Sequence, residues 1–214
     1  MVEPKRWIVG ITGASGAIYG IRLIEELLAG GFEVHLVISE AGWRVLKEEL
    51  LWSASHRKAS LQKQFGAAID SGRLIYYPSG DIGAAIASGS FRTEGMIIMP
   101  CSMGTAASIA HGASNNLLTR AADVMLKESR RLLLLPRETP FNSIHLENLL
   151  KLSRLGVRIV PAMPAFYFMP QSMDEMISFI VGKVLDNVGI EHQLYRRWGE
   201  EQNEHTPSLH HRTD

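Results

Sequence analysis

The sequence predicts one doubly wound α/β domain, in which a mostly parallel sheet carries helices on both faces. Short apolar runs alternate along the chain with segments whose apolar residues recur every three or four positions, as in parallel strands joined by crossover helices. Small and polar residues follow those runs, at the sheet edge where open α/β sheets bind ligands. We therefore expect a Rossmann-like or flavodoxin-like domain over residues 1–198, followed by a polar, disordered tail at 199–214.

The first part of the chain predicts three strands and two helices. The elements are, in order, a strand at 7–11, a helix at 17–28, a strand at 32–38, a helix at 41–51 and a strand at 74–77. The first helix is indicated by apolar residues three and four positions apart, and Gly30 and Gly31 end it. The intervening residues 53–72 are polar and compatible with a helix, but they lack a clear apolar period.

The second part predicts three more strands and three helices. The elements are a strand at 96–99 closed by Pro100, a helix at 115–128, a strand at 132–135, a helix at 143–155 capped by Gly156, a strand at 157–160 and a helix from about 173 to 188. The last helix is preceded by Ser172 with Glu175 three residues later, which is the pattern of a capping box. Alternation of strand and helix thus continues along the chain.

The composition excludes several classes of protein. The 22 basic residues balance 22 acidic residues, whereas a nucleic-acid binder needs a basic excess. No apolar run approaches the roughly 18 residues of a membrane span. The single cysteine, Cys101, rules out a disulfide framework and a thiolate-rich metal site. We expect Cys101 to be buried, and the chain to be cytoplasmic, with no metal, membrane or nucleic-acid partner.

Polar residues cluster after the predicted strands and indicate a ligand site there. They are Ser15, Ser39, Ser102, Thr105, Arg137, Glu138 and Tyr167. The glycine-rich turn at 12–16 resembles phosphate-binding turns that precede a helix. It matches neither the dinucleotide nor the triphosphate pattern, and no acidic residue ends the second strand to hold a ribose. A mononucleotide such as FMN fits this turn better.

A second group of residues is basic and allows two interpretations. Arg120 and Lys127 are seven positions apart on one predicted helix and so share a face, while Lys183 flanks the apolar stripe of the last helix. One interpretation is a solvated helix face, with Asp123 and Glu128 as local partners. The other is a second anion site, in which several cations hold a phosphate and stabilise it as a leaving group.

Several long motifs, in order along the chain, resemble those of the UbiX-type flavin prenyltransferases. The resemblance covers residues 6–198 and rests on the segments 12–20 (TGASGAIYG), 100–105 (PCSMGT), 120–128 (RAADVMLKE), 136–140 (PRETP), 164–167 (PAFY) and 170–172 (PQS). It implies an enzyme that joins the dimethylallyl group of dimethylallyl phosphate to reduced FMN, forming a new ring across N5 and C6 without a metal. It also implies a homo-oligomer, often a dodecamer, whose product serves a UbiD-type decarboxylase.

The resemblance also implies roles for individual residues. The FMN site would comprise Gly13, Ala14, Ser15, Ser39, Ser102, Met103, Gly104, Thr105 and Arg137, with Ser15 near the flavin N5. The substrate phosphate would be held by Ser90, Arg120, Lys127, Arg137, Tyr167 and Lys183. Glu138 would move protons, Ser15 and Glu49 would be further catalytic residues, and Trp198 would face the allyl group.

Two positions depart from the family pattern. Many relatives carry arginine where Lys183 stands, so a bidentate contact is lost although a charge remains. Many also carry histidine where Phe168 stands.

Two alternatives stay open: a carrier that binds FMN without chemistry, and an enzyme similar to the peptidyl-cysteine decarboxylases. The second is disfavoured because the segment 161–164 (PAMP) lacks the asparagine of those enzymes.

Overall fold

A computed structural model describes residues 5–198 and contains one six-stranded, all-parallel sheet in the order β3-β2-β1-β4-β5-β6. The strands are β1 (Arg6–Ile11), β2 (Glu33–Ile38), β3 (Leu74–Pro78), β4 (Gly95–Cys101), β5 (Arg131–Pro136) and β6 (Arg158–Ile159). The strands form from short apolar runs, and all but the edges are covered on both faces, as parallel sheets require. This confirms the doubly wound α/β fold that the sequence predicts.

Helices cover the two faces of the sheet in separate layers. They are α1 (Ala17–Ala29), α2 (Glu40–Leu50), α3 (Arg57–Asp70), α4 (Met103–Ala110), α5 (Leu117–Lys127), α6 (Ser143–Arg154) and α7 (Met173–Val188). The buried residues of α1, α2, α3 and α7 form one core cluster with Val9 and Ile97, whereas those of α4, α5 and α6 pack against Ile8 and Ile98 on the opposite face. Alternate residues of each strand therefore face different helix layers.

The strand order reverses direction between β1 and β4, which lie side by side at the centre of the sheet. The chain leaves both strands at the same edge, through residues 12–16 after β1 and residue 102 after β4. Such a reversal opens a crevice beyond the carboxyl ends of the two strands, and ligands of open α/β sheets bind there. The fold thus places the sequence-predicted turn at one wall of this crevice.

Four elements differ from the sequence prediction. Strand β4 continues through Pro100 to Cys101, because an irregularity in its register with β5 between Ile98 and Cys101 accommodates a residue without an N–H donor. Helix α4 was not predicted, since its small residues show little contrast between faces. The polar residues 53–72 contain α3, and β6 has two residues rather than four.

The capping of α7 follows its sequence motif only in part. The side chain of Ser172 accepts a hydrogen bond from the N–H of Glu175 at 3.1 Å. The carboxylate of Glu175 turns to the N–H of Gln171 at 2.8 Å rather than to that of Ser172. Both contacts still occupy N–H groups near the start of the helix, which is the purpose of a capping box.

Within residues 5–198, no helix is long and apolar enough to cross a bilayer.

Candidate active site

The buried side chain of Thr12 joins the two loops that border the central crevice. Its hydroxyl donates to the carbonyl oxygen of Pro100 at 2.8 Å and accepts from the N–H of Ser102 at 2.7 Å. The N–H of Thr12 also donates to the Pro100 carbonyl at 3.2 Å. One residue therefore fixes the separation of the loops after β1 and β4. Sequence reasoning did not assign Thr12 to the site, although it opens the motif at 12–20.

The loop after β1 lies close against α2. A Cβ atom at Gly13 would lie 2.4 Å from the Cβ of Ala41, so only glycine permits this approach. Ala14 is buried and Ser15 is exposed at the mouth of the crevice. Gly16, at φ 99°, then turns the chain into α1. The structure thus places the predicted FMN-binding residues of this loop together, with the Ser15 side chain open to a ligand.

Glu49, on α2, caps the start of α1. Its carboxylate accepts hydrogen bonds from the N–H of Gly16 at 3.0 Å and from the N–H of Ala17 at 2.9 Å. A carboxylate is stabilised at this position by the helix dipole. The sequence suggested that the start of this helix receives a phosphate, but these two donors already bind Glu49. The predicted site residue Glu49 does lie at the crevice, where it also orders the first loop.

The start of α4 forms the facing wall of the crevice. Ser102 caps this helix: its hydroxyl accepts from the N–H of Thr105 at 3.3 Å and lies 3.0 Å from the Thr105 hydroxyl. Met103 is buried beneath the helix start. At Gly104, apart from its chain neighbours and the backbone of its own helix, no atom lies within 4 Å of the position that a Cβ would take. An open space therefore adjoins the positive end of a helix, which suits an anionic or polar ligand.

Ser39 occupies the equivalent position after β2. Its hydroxyl caps α2 by accepting from the N–H of Gly42 at 2.9 Å, and its own N–H donates to the Ile11 carbonyl at 2.9 Å. Three predicted FMN-binding segments thus follow three adjacent strands of the sheet. Ser39 follows β2, Ser15 follows the central β1, and Ser102 follows β4.

Arg137 lies at the end of β5 and brings a cation to the same edge. Its backbone N–H donates to the carbonyl of Cys101 at 3.3 Å. In its side chain, the buried Nε atom has no hydrogen-bond partner within residues 5–198. A buried guanidinium nitrogen without a partner is costly, so this atom is suited to an incoming anion. The orphaned nitrogen, the open space at Gly104 and the small residues of the first loop together fit a bound FMN.

Tyr19 is a further residue of this region that sequence reasoning did not assign. Burial raises the pKa of its phenol, the charge of Arg137 lowers that pKa, and the charge of Glu49 raises it. The Tyr19 ring also lies against Gly16, since a Cβ there would be 2.8 Å from the ring. Tyr19 therefore lies within electrostatic reach of two predicted site residues. Its presence in the motif at 12–20 was the signal that could have identified it.

Glu138 follows Arg137 and is exposed at the carboxyl end of the sheet. The N–H of Thr139 donates to its carboxylate at 3.0 Å, which turns the side chain along its own loop. A carboxylate at the strand ends is the kind of group that general acid–base catalysis uses.

The first part of the predicted phosphate set lies on the face of the sheet covered by α5. The Arg120 guanidinium donates to the Ala87 carbonyl at 3.2 Å, and the Ser90 hydroxyl lies 2.9 Å from that of Ser88. The Lys127 amine lies beside Gly89. Arg120 and Lys127 also form ion pairs with the neighbouring residues Asp123 and Glu128. Arg120 and Lys127 therefore lie against one segment, residues 87–90, which contains Ser90.

The second part lies on the opposite face, which α7 covers. The ring of Tyr167 packs edge-on against Trp198 at a centroid distance of 5.2 Å and against Phe179 at 6.1 Å. The Lys183 amine lies 5.8 Å from the centroid of the Tyr195 ring. Trp198 remains 81% exposed despite its contact with Tyr167. Tyr167, Lys183 and Trp198 are thus associated with one aromatic cluster.

One copy of the chain does not bring the predicted phosphate set together. Three of its members lie on the α5 face, two on the α7 face, and Arg137 at the strand ends. Lys127 stands seven residues beyond Arg120, which is about 10 Å along the helix axis. It ends α5 just before β5 begins, away from the carboxyl ends of the strands. The two groups therefore belong to opposite faces of the sheet within one copy.

Cys101 is fully buried, as expected. Burial raises the pKa of its thiol to about 12, so it stays protonated and is unsuited to act as a nucleophile. Among residues 5–198, no three histidine, cysteine, aspartate or glutamate side chains are grouped as metal ligands would be.

The fold and this crevice are those of a flavin-binding α/β protein. The family model described as Flavoprotein matches residues 1–185, which places the chain in the flavoprotein family. A flavin prenyltransferase UbiX of Halalkalibacterium halodurans is 58% identical over 200 residues, which cover 94% of this chain and 96% of the relative. The chain therefore belongs to the UbiX flavin prenyltransferases, as its motifs predicted.

Two solved structures are similar over nearly the whole chain. A dodecameric FMN-dependent Ubix-like decarboxylase from Escherichia coli O157:H7 is 44% identical, with a TM-score of 0.81, and the match covers 90% of this chain and 98% of that one. AnUbiX (PadA1), in complex with FMN and dimethylallyl pyrophosphate, is 36% identical, with a TM-score of 0.83, and the match covers 94% and 100%.

Proposed function

We propose that this protein is a flavin prenyltransferase that transfers the dimethylallyl group of dimethylallyl phosphate to reduced FMN. The buried, unpartnered Nε of Arg137, at the same edge of the sheet as the open start of α4, carries this proposal from the geometry. Family membership and the relative that binds FMN with a dimethylallyl donor support it. Reduced FMN supplies the nucleophilic ring atoms N5 and C6, and the product is prenylated FMN.

The loops at the strand ends hold and orient the flavin. We assign this role to Gly13, Ala14, Ser15, Ser39, Ser102, Met103, Gly104, Thr105 and Arg137. Thr12 keeps the two central loops at a fixed separation through its contacts with Pro100 and Ser102, and such preorganisation reduces the cost of binding. Ser15, which is exposed at the mouth, offers a hydrogen bond near the flavin N5.

The remaining residues act on the departing phosphate and on protons. Breaking the allylic C–O bond leaves positive charge on carbon and negative charge on the phosphate, so cations that contact the phosphate stabilise the transition state. Arg120, Lys127, Arg137 and Lys183 supply that charge, and Ser90 and Tyr167 add hydrogen bonds. Glu138 moves a proton between the flavin and the phosphate. The ring of Trp198 faces the allyl cation and stabilises it.

The phosphate site is completed between copies of the chain. Within one copy, the group of Ser90, Arg120 and Lys127 lies on the opposite face of the sheet from Tyr167 and Lys183. The relative from Escherichia coli is dodecameric, and exposed apolar side chains near the site, at Met163, Phe166, Met169 and Met173, offer surface for contacts between copies. We therefore infer a homo-oligomer whose product passes, in the cytoplasm, to a UbiD-type decarboxylase.

The reaction itself is tested under anaerobic conditions. Purified protein is mixed with reduced FMN and dimethylallyl phosphate, and the extracted flavin is analysed by mass spectrometry. A gain of one isoprene unit is expected, with the diphosphate tested as a second donor. Flavin that stays bound but unmodified with both donors would contradict the transferase and favour a carrier. Glu138→Gln should retain FMN and lose product, whereas the exposed Glu147→Gln on α6 serves as a matched control.

Sharing of the site between copies is tested by mixing two defective variants. Lys127→Ala and Lys183→Ala each lack one member of the set, on opposite faces of the sheet. If one site draws on two copies, chains of both variants that assemble together form some intact sites, and activity returns. Mixed oligomers that stay as inactive as either variant alone would contradict the shared site.

A further inference from the structure

We propose that Asp186 is a positioning residue that fixes the segment 190–198 against Lys183 and Tyr167, two residues assigned to the substrate phosphate. The inference rests on the proposed function and adds a residue that neither the motifs nor the family roles identified. Asp186 lies near the end of α7, three residues after Lys183. Its carboxylate contacts one short segment that returns along the same helix.

The Asp186 carboxylate binds three side chains of that segment. The Arg197 guanidinium binds it in a bidentate manner, with Nη2 2.8 Å from Oδ1 and Nη1 3.1 Å from Oδ2. The Tyr195 hydroxyl donates to Oδ2, and His192 Nε2 lies 3.1 Å from Oδ1. A carboxylate that accepts several charge-assisted hydrogen bonds holds its partners strongly.

Side-chain contacts are what order this segment. No helix or strand is formed by residues 190–198, so a continuous backbone ladder does not hold them. Instead, the N–H of Leu194 donates to His192 Nδ1 at 3.1 Å. At Gly182 a Cβ would lie 2.6 Å from the rings of both His192 and Tyr195, so the segment packs directly on the helix backbone. Losing the carboxylate removes the charged anchor of this packing.

The fixed segment sets the position of substrate-site residues. Tyr195 lies beneath the Lys183 amine, with a centroid distance of 5.8 Å, and contacts Phe179 at 4.9 Å. Three residues later, Trp198 contacts Tyr167 at 5.2 Å. The residues assigned to the phosphate and the allyl group on this face are thus connected to Asp186 through one segment. We expect Asp186 to govern binding of dimethylallyl phosphate but not of FMN.

The carboxylate is ionised at all ordinary pH values. Burial alone would raise the pKa of Asp186, but hydrogen bonds from Arg197 and Tyr195 and the charge of His192 lower it to about 2. Asp186 therefore serves as a permanent anion for anchoring and is not a proton donor in the reaction.

The test compares Asp186→Asn with Asp174→Asn. Asp174 lies on the same helix, outside the anchored segment, and pairs with Arg22, so it controls for loss of a carboxylate from α7. Limited trypsin digestion reports on the segment, because Arg196 and Arg197 are its cleavage sites. Calorimetry then measures the binding of dimethylallyl phosphate to protein loaded with oxidised FMN, together with the binding of FMN itself.

The expected result is a local effect of Asp186→Asn only. Cleavage after Arg196 and Arg197 should accelerate without faster cleavage elsewhere, and affinity for dimethylallyl phosphate should fall about tenfold, as for the loss of a charge-assisted hydrogen bond. Affinity for FMN should not change. In turnover, the KM for dimethylallyl phosphate should rise more than kcat falls. Unchanged cleavage, or unchanged affinity for dimethylallyl phosphate, would overturn the inference.

A milder variant keeps the test decisive if Asp186→Asn does not fold. Tyr195→Phe removes one hydrogen bond to Asp186 but keeps the ring beneath Lys183, so it should show the same changes to a smaller degree. A wild-type protein that binds FMN but not dimethylallyl phosphate would refute the proposed function instead. Equal binding by wild type and both variants would refute only the role of Asp186.

Discussion

The carboxylate of Glu49 lies 3.0 Å from the backbone nitrogen of Gly16, across the contact between α2 and the start of α1. A side chain assigned to catalysis thus also fixes the loop that carries Ser15. The proposed catalytic role would therefore couple activity to stability at this position.

Replacing Glu49 by glutamine should destabilise the flavin-free protein modestly. The amide keeps an acceptor for one N–H, but the charge at the positive end of α1 is lost, which costs about 0.3–1 kcal/mol. For a chain of this size, 1 kcal/mol corresponds to roughly 2–4 °C in melting temperature. Thermal unfolding measures the change, with the neighbouring Glu48→Gln as control. Equal melting temperatures for the two variants would refute the capping role.

Gly13→Ala should destabilise the protein through a single steric contact. The added Cβ would lie 2.4 Å from that of Ala41, and overpacking of this kind costs about 1–3 kcal/mol. Ala41→Gly removes the opposing atom, so the double variant should recover part of the loss, even though glycine in a helix costs about 0.5–1 kcal/mol. Free energies of unfolding in urea complete the double-mutant cycle. Additive losses would show that the two positions are not in contact.

Gly104→Ala should separate flavin binding from stability. Beyond its chain neighbours and the backbone of α4, the new methyl group meets no protein atom within 4 Å. Alanine is also favoured over glycine in a helix by about 1 kcal/mol. The unfolding free energy should therefore stay equal or rise. Affinity for FMN, followed by flavin fluorescence, should fall because the methyl group fills space assigned to the ligand. Unchanged affinity for FMN would contradict the proposed placement of the flavin at the start of α4.

Cys101 should resist alkylation in the folded protein. Burial raises its pKa to about 12, so almost no thiolate is present at neutral pH. Iodoacetamide should label the protein in urea and leave the native protein unmodified, as read by mass spectrometry. Rapid labelling of the native chain would show that β4 opens far more readily than its packing indicates.

The anchor at Asp186 should weaken only in acid. Its pKa is lowered from 3.8 to about 2, so its stabilising effect is complete above about pH 4 and is lost as pH falls through 2. The difference in unfolding free energy between wild type and Asp186→Asn should stay constant from pH 7 to about 4 and shrink below it. A difference that shrinks already at neutral pH would point to another titrating group.

The sequence predicted the sheet, which the structure confirms, and it predicted a site at the carboxyl ends of the strands, because both inferences use local patterns. Apolar runs identified every strand, and the polar residues after them marked the crevice. What it missed depends on contacts between distant segments. The bridge from Thr12 to Ser102 joins residues 90 positions apart. Helix α4 was missed for a different reason, because its small residues show no clear apolar face. Lys127 and Lys183 are separated because α5 and α7 cover opposite faces of the sheet. The spacing of apolar residues along a helix does not specify which face of the sheet that helix covers.

That separation has a consequence for how the enzyme behaves at different concentrations. If the charges that one reaction needs come from neighbouring chains, dilution below the dissociation constant of the assembly abolishes turnover while every chain stays folded, and concentration restores it. A chain with a defective Lys127 would then impair a neighbour's site rather than its own. In a cell that makes two versions of the protein, the defect would be shared among all assemblies.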